Sequence, residues 1–181
     1  HLLRKFISGT GFYGWNGLRY FLFEYEDYLM EIRGVPKVSW NNFMRNEKDK
    51  VSIEHIYPQT ANDECWENSF EGVSDGRKKL LTNMLGNLVL LSQSINSSLQ
   101  NICFENKIQT LQDNSGNTIR NGYSNGSYSE QKIAALSSWN APEIENRSVQ
   151  LLSLLETRWN ILIGDDNKKK EMLLLKEESL E

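Results

Sequence analysis

Apolar and polar positions along the chain follow two rhythms. Between Tyr13 and Ile32 the residues Trp15, Leu18, Leu22, Tyr25, Leu29 and Ile32 recur at intervals of three and four, with Phe21 beside them. That is the period of an amphipathic helix, and Gly34 and Pro36 stop it. Glu24, Glu26, Asp27 and Glu31 fall mostly off the stripe and read as solvated surface. The stripe itself reads as core rather than as a platform for stacking bases. After a polar stretch from Asn41 to Lys50, Val51, Ile53 and His55 alternate with Ser52, Glu54 and Ile56. This is the two-residue period of a short strand, and Pro58 ends it.

Residues 60 to 86 form a polar insertion, with short helices expected around 64–70 and 77–84. Gly86-Asn87 then turns the chain into a second apolar run, Leu88 to Leu91. A polar helical stretch follows from Ser94, and a further helix from Phe104 to Leu111. Asn, Gly and Ser crowd residues 113–128, which read as an exposed loop. Ser129 can cap a helix running to Leu136. Pro142 suits the first turn of another, which carries Ile144, Leu151, Leu152, Leu155, Trp159 and Leu162 mostly on one face and closes at Gly164. From Asp165 the chain is rich in Lys and Glu, a tail expected to be a solvated helix or a frayed end. The elements predict an α+β fold, a small hairpin with a helix embedded in a mostly helical body.

With 181 residues the chain can bury a real core without disulfides. Its net charge of -4 and pI near 5.4 argue against binding nucleic acid by bulk electrostatics. A local basic surface such as Arg77-Lys78-Lys79 could still meet a phosphate, although a solvated helix face is the default for it. Cys65 and Cys103 match no metal-ligand spacing and read as two reduced thiols in a cytosolic protein. No apolar run is long enough to span a bilayer, and no charged-then-apolar leader is present. The first residue is His1 rather than Met, as in a domain cut from a larger protein.

Apart from His1, His55 is the sole histidine. A lone His beside apolar residues is more often structural than catalytic, but its company changes the balance. Glu54 precedes it on the expected strand, Asn87 opens the second apolar run, and Asn96 follows nine residues later. Phosphodiester hydrolysis needs a base for water and a cation for the charge gathering on phosphate. A neutral imidazole, with an ordinary pKa of about 6.5, can accept that proton. A carboxylate and an amide oxygen are hard ligands suited to Mg²⁺. No His/Cys cluster points to zinc.

The strings Glu54-His55-Ile56-Tyr57-Pro58-Gln59, Gly86-Asn87-Leu88-Val89-Leu90-Leu91 and Asn96 resemble the HNH motif of His-Me finger nucleases. More closely they resemble the C-terminal domain of GmrSD-type restriction endonucleases, with Asn101, Phe104 and Lys107 matching that family's N-x-x-F-x-x-K. The helix over 12–29 and the series Trp139, Ile144, Arg147, Trp159 resemble its flanks, so the likeness runs to about Ile163.

The resemblance implies a nuclease domain over residues 1–164, with a helical flank at 12–34, a ββα metal core at about 51–107 and a second helical flank at 129–163. The charged tail is 165–181. By the same resemblance His55 is the general base, and Asn87 fixes the loop and helps orient it. Glu54 and Asn96 hold Mg²⁺ or Mn²⁺, with Glu standing where these enzymes usually carry Asp. Lys107 could hold a phosphate or be a solvated helix lysine. Arg147 could pair with an acidic core residue or contact DNA, the structural role being the one expected. The implied activity is cytoplasmic hydrolysis of foreign, often base-modified phage DNA to 5′-phosphate and 3′-hydroxyl ends. A separate N-terminal nucleotide-handling domain or subunit would govern it. Two alternatives stand beside it: an inactive His-Me finger that grips DNA or a partner, and a helical domain in which His55 is merely core.

Overall fold

The computed structural model describes residues 11–36 and 51–173. The polar stretch 41–50 and the end of the tail from 174 lie outside the described residues.

A 3₁₀ turn at Gly11–Gly14 leads into helix α1, Leu18–Ile32. The helix starts later than the stripe predicts, because Phe12 N bonds Asn83 O at 3.0 Å and holds Tyr13 in the turn. Leu18, Phe21, Leu22 and Tyr25 are buried as the period requires. Three of its carboxylates are not the solvated surface expected. Glu24 and Asp27 are buried and hold Arg158 at 2.7 and 2.9 Å. Glu26 accepts from the amides of Tyr128 and Ser129. Apolar periodicity cannot register such positions, since each carboxylate is tolerated inside only by the donors it meets there.

Strand β1, Val51–His55, pairs antiparallel with β2, Leu88–Ser92; Glu54 faces Val89 and His55 faces Leu88. Between them lie α2, Glu64–Ser69, α3, Asp75–Thr82, and a 3₁₀ turn, Leu85–Asn87. Ser92 ends the strand and caps α4, Gln93–Leu99, by accepting Ile95 N. Helix α1 packs on β2 while α4 packs on both strands, which is why Leu88 to Leu91 are buried without alternation. Helix α5, Phe104–Ile108, completes this half.

Four expectations need correction here. Cys65 and Cys103 are not thiols but a disulfide, with Cα atoms 5.9 Å apart across 38 positions of sequence. Spacing along the chain could not show that closeness. The segment expected as a loop holds a second small hairpin, β3 at Leu111–Gln112 and β4 at Thr118–Arg120, and a 3₁₀ turn that sinks Tyr123 into the core. Ser127, not Ser129, caps α6, Tyr128–Ala134, in a capping box with Glu130. Helix α7, Ala141–Trp159, ends on Asn160 in the left-handed region at φ 51°, not at Gly164, so Leu162 is left outside the core at 94% exposure.

The tail is also not wholly solvated. Residues Asp166–Met172 form α8, whose buried Lys169 bonds Glu156 at 2.6 Å and the carbonyl of Gly164 at 2.7 Å. Among the described residues no helix is long and apolar enough to cross a membrane.

Candidate active site

His55 ends β1 and is 8% exposed. Its Nε2 lies 3.2 Å from Asn83 Oδ1, an atom that only accepts, so Nε2 carries the proton and Nδ1 keeps the lone pair. Gln59 Nε2 stands 3.5 Å from the same nitrogen; both are donors there, so this contact is packing. The exposed ring of Tyr13 covers the imidazole at 4.5 Å between centroids. Burial pushes the His55 pKa down, Asn83 pulls it back up, and the Lys107 charge adds to the fall. The ring is therefore neutral near pH 7, the state a general base requires.

Alternation along the strand sends Glu54 the other way. Its Oε1 meets Lys107 Nζ at 2.5 Å and the Tyr123 hydroxyl at 3.4 Å. Burial raises the carboxyl pKa and lowers that of the lysine, and the attraction between the two opposes both shifts. Lys107 is 0% exposed, so it is neither a solvated helix lysine nor placed to meet a phosphate at the surface.

Asn87 is 0% exposed and its amide is fully used. Oδ1 accepts from Tyr57 N at 2.8 Å and Trp139 Nε1 at 3.0 Å; Nδ2 donates to Tyr57 O at 2.8 Å and Thr82 O at 2.9 Å. The backbone carbonyl of Asn87 takes Ile56 N at 3.0 Å. The residue thus pins the loop just after His55 to the end of α3 and touches no open surface. Arg147 is structural, but it holds the neighbouring carbonyls of Gly86 and Leu88 at 2.5 and 2.9 Å rather than an acidic residue. Gly86 is required there: a Cβ would lie 2.0 Å from the Ile144 carbonyl.

Asn96 reaches back from α4, donating from Nδ2 to Ser52 Oγ at 2.8 Å and to the Ile53 carbonyl at 3.3 Å. Of the basic run, Arg77 pairs with Glu145 of α7, Lys78 is half-buried and Lys79 is exposed. The structure therefore brings His55 and Asn87 to one loop and Glu54 and Lys107 to one pair. Arg77 is turned toward α7. Sequence reading missed Asn83, Tyr13 and Tyr123. Asn83 stands four residues before Asn87, a helical spacing that carries no chemical signature.

Glu54, as it stands, does not fit a divalent cation shared with Asn96. The carboxylate, 5% exposed, already has an ammonium at contact distance; on Asn96 only the nitrogen is bound to β1, so its amide oxygen is the donor atom left to a cation.

A hairpin that runs directly into a helix, with one histidine at the end of its first strand, sits in a mostly helical α+β domain. Residues 2–154 match the family described as GmrSD restriction endonucleases, C-terminal domain, and the chain belongs to that family. It is thereby a domain related to restriction endonucleases. No curated protein and no solved structure matches it.

Proposed function

We propose that this domain is an HNH-type endonuclease that hydrolyses phosphodiester bonds in DNA, with His55 as the general base. The observation that supports the reading is the imidazole itself: held neutral by burial and bonded through Nε2 to Asn83, which leaves the Nδ1 lone pair as the ring's proton acceptor. In the reaction Nδ1 takes a proton from water, the water oxygen bonds to phosphorus, and the bond to the 3′ oxygen breaks. The products are a 5′-phosphate and, once that oxygen is protonated, a 3′-hydroxyl. Asn83 fixes the ring and Asn87 fixes the loop behind it. A requirement for Mg²⁺ or Mn²⁺ belongs to the proposal, although Glu54 is paired with Lys107 and does not form a ready site with Asn96 for either. Family membership supports DNA as the substrate; that this DNA is foreign and base-modified, that the setting is cytoplasmic and that an N-terminal nucleotide-handling domain or subunit is the partner belong to the proposal.

The test is cleavage of plasmid and of glucosylated phage DNA with each cation, the native protein beside His55→Ala, with the N-terminal partner added. Loss of a general base lowers the rate by about a hundredfold or more. Circular dichroism of the variant should match the native spectrum. Equal cleavage by both proteins would remove His55 from the mechanism. No cleavage by either would favour the reading as a DNA- or partner-binding module.

A further inference from the structure

Glu54 occupies the position at which the family resemblance expects a cation ligand, yet its surroundings are those of a closed ion pair. Lys107 Nζ contacts Glu54 Oε1 at 2.5 Å and also donates to the carbonyl of His55 at 3.2 Å. The Tyr123 hydroxyl donates to the same Glu54 oxygen, and the Trp66 ring lies 6.0 Å from the ammonium. Every member is shut from solvent: Glu54 is 5% exposed, Trp66 1%, and Lys107 and Tyr123 0%.

Two features of this pocket oppose a cation. An ion entering at Glu54 would have to displace an ammonium that has no water to move into, leaving a buried charge without a partner. Position along the strand adds the second. Glu54 lies on the side of Lys107 and Tyr123, whereas His55 lies on the side of Tyr13 and Asn83, so β1 separates the carboxylate from any water the imidazole could reach.

We infer that Glu54 is not a cation ligand in this protein but the anionic half of a buried clamp, closed by Lys107 and Tyr123, that locks the end of β1. A cation serving His55 takes ligands other than Glu54. This goes beyond the nuclease reading, and its tests need no DNA, so a failure to cleave leaves it intact.

The first test pairs Glu54→Gln with Lys107→Met, because removing one partner alone strands the other. The paired variant should melt close to the native protein, while Glu54→Gln alone melts well below it. Mn²⁺ affinity of the paired variant, by titration calorimetry, should stay within about threefold of native, since losing a true ligand weakens binding by about tenfold or more. A native chain with no measurable Mn²⁺ affinity gives the same answer. A folded paired variant that loses Mn²⁺ affinity tenfold overturns the inference. The second test uses the native protein, so it stands even if the paired variant does not fold. Lysines are acylated with and without Mn²⁺ and located by mass spectrometry. Lys107 should stay unmodified in both, beside the exposed Lys132 as control. Mn²⁺-dependent labelling of Lys107 to the level of Lys132 would show that the ion had taken Glu54 from it.

Discussion

An amide oxygen at 3.2 Å selects which nitrogen of His55 keeps its lone pair, so under the proposed function Asn83 is a positioning residue for the base. Its backbone carbonyl is tied to Phe12 N, and Cβ contact would forbid any side chain at Gly11, so the side chain arrives from a fixed frame. Replacing Asn83 by Ala should lower kcat by about tenfold to a hundredfold, the usual effect of losing the partner that orients a histidine, with KM little changed. Asn83→Asp keeps the acceptor and should restore most of the rate while raising the pH at which His55 loses its proton. Unchanged kcat in Asn83→Ala would mean that packing by Tyr13 and Gln59 suffices. That His55 and Asn87 meet at one loop was legible in the sequence, because their types, order and spacing form a motif. Asn83 was not, because an amide on a helix end becomes an orienting group only once the fold places an imidazole against it.

At the scale of elements, the hairpin and the helix after it followed from patterns with a local cause: the alternation in β1, the Gly86-Asn87 turn, and a hydroxyl at the start of α4. What escaped was long-range pairing. Arg158 on the carboxylates of α1, Lys169 on Glu156 and Tyr123 under β1 each join positions whose partners no window of sequence contains. The disulfide belongs to the same group. It ties Cys65 in α2 to Cys103, the N-cap of α5, and α5 carries Lys107 to Glu54. Trp66 Nε1 bonds Asn101 O at 3.0 Å beside it, so the two segments have one covalent and one polar link. Closing a loop of 38 positions restricts the unfolded chain by about 4 kcal/mol in the chain-entropy account. Urea unfolding of Cys65→Ser/Cys103→Ser, or of the native protein in dithiothreitol, should therefore show a loss of about 2–4 kcal/mol. Coincident unfolding curves with and without reductant would show that the bond contributes nothing in solution.

Across the whole molecule, buried ionisable groups set how stability varies with pH, and two of them act in opposite directions. Glu130 is 6% exposed, caps α6 through Ser127 N, and has a second oxygen with no hydrogen-bond partner. Burial, the largest influence, raises its pKa from 4.5 to about 7, while the bonds from Ser127 oppose the shift. The folded state therefore holds a proton that the unfolded chain releases between these values. Stability from this group is fully present below about pH 4.5 and is lost as pH rises through about 7. A displacement of that size corresponds to about 3 kcal/mol. His55 works the other way: its pKa is lowered by burial, so the unfolded chain binds a proton first and stability falls as pH drops through about 6.5. Replacing Glu130 by Gln keeps the acceptor for Ser127 N and removes the titration. The variant should match the native protein near pH 4.5 and exceed it by about 3 kcal/mol above pH 8, read from urea midpoints across the range. Both proteins would share the weakening from His55 on the acid side and that from Glu54 as pH rises, so the difference between them reports Glu130. A variant whose midpoint follows the native one at every pH would mean that Glu130 ionises inside the fold without penalty, with solvent or another cation reaching its free oxygen.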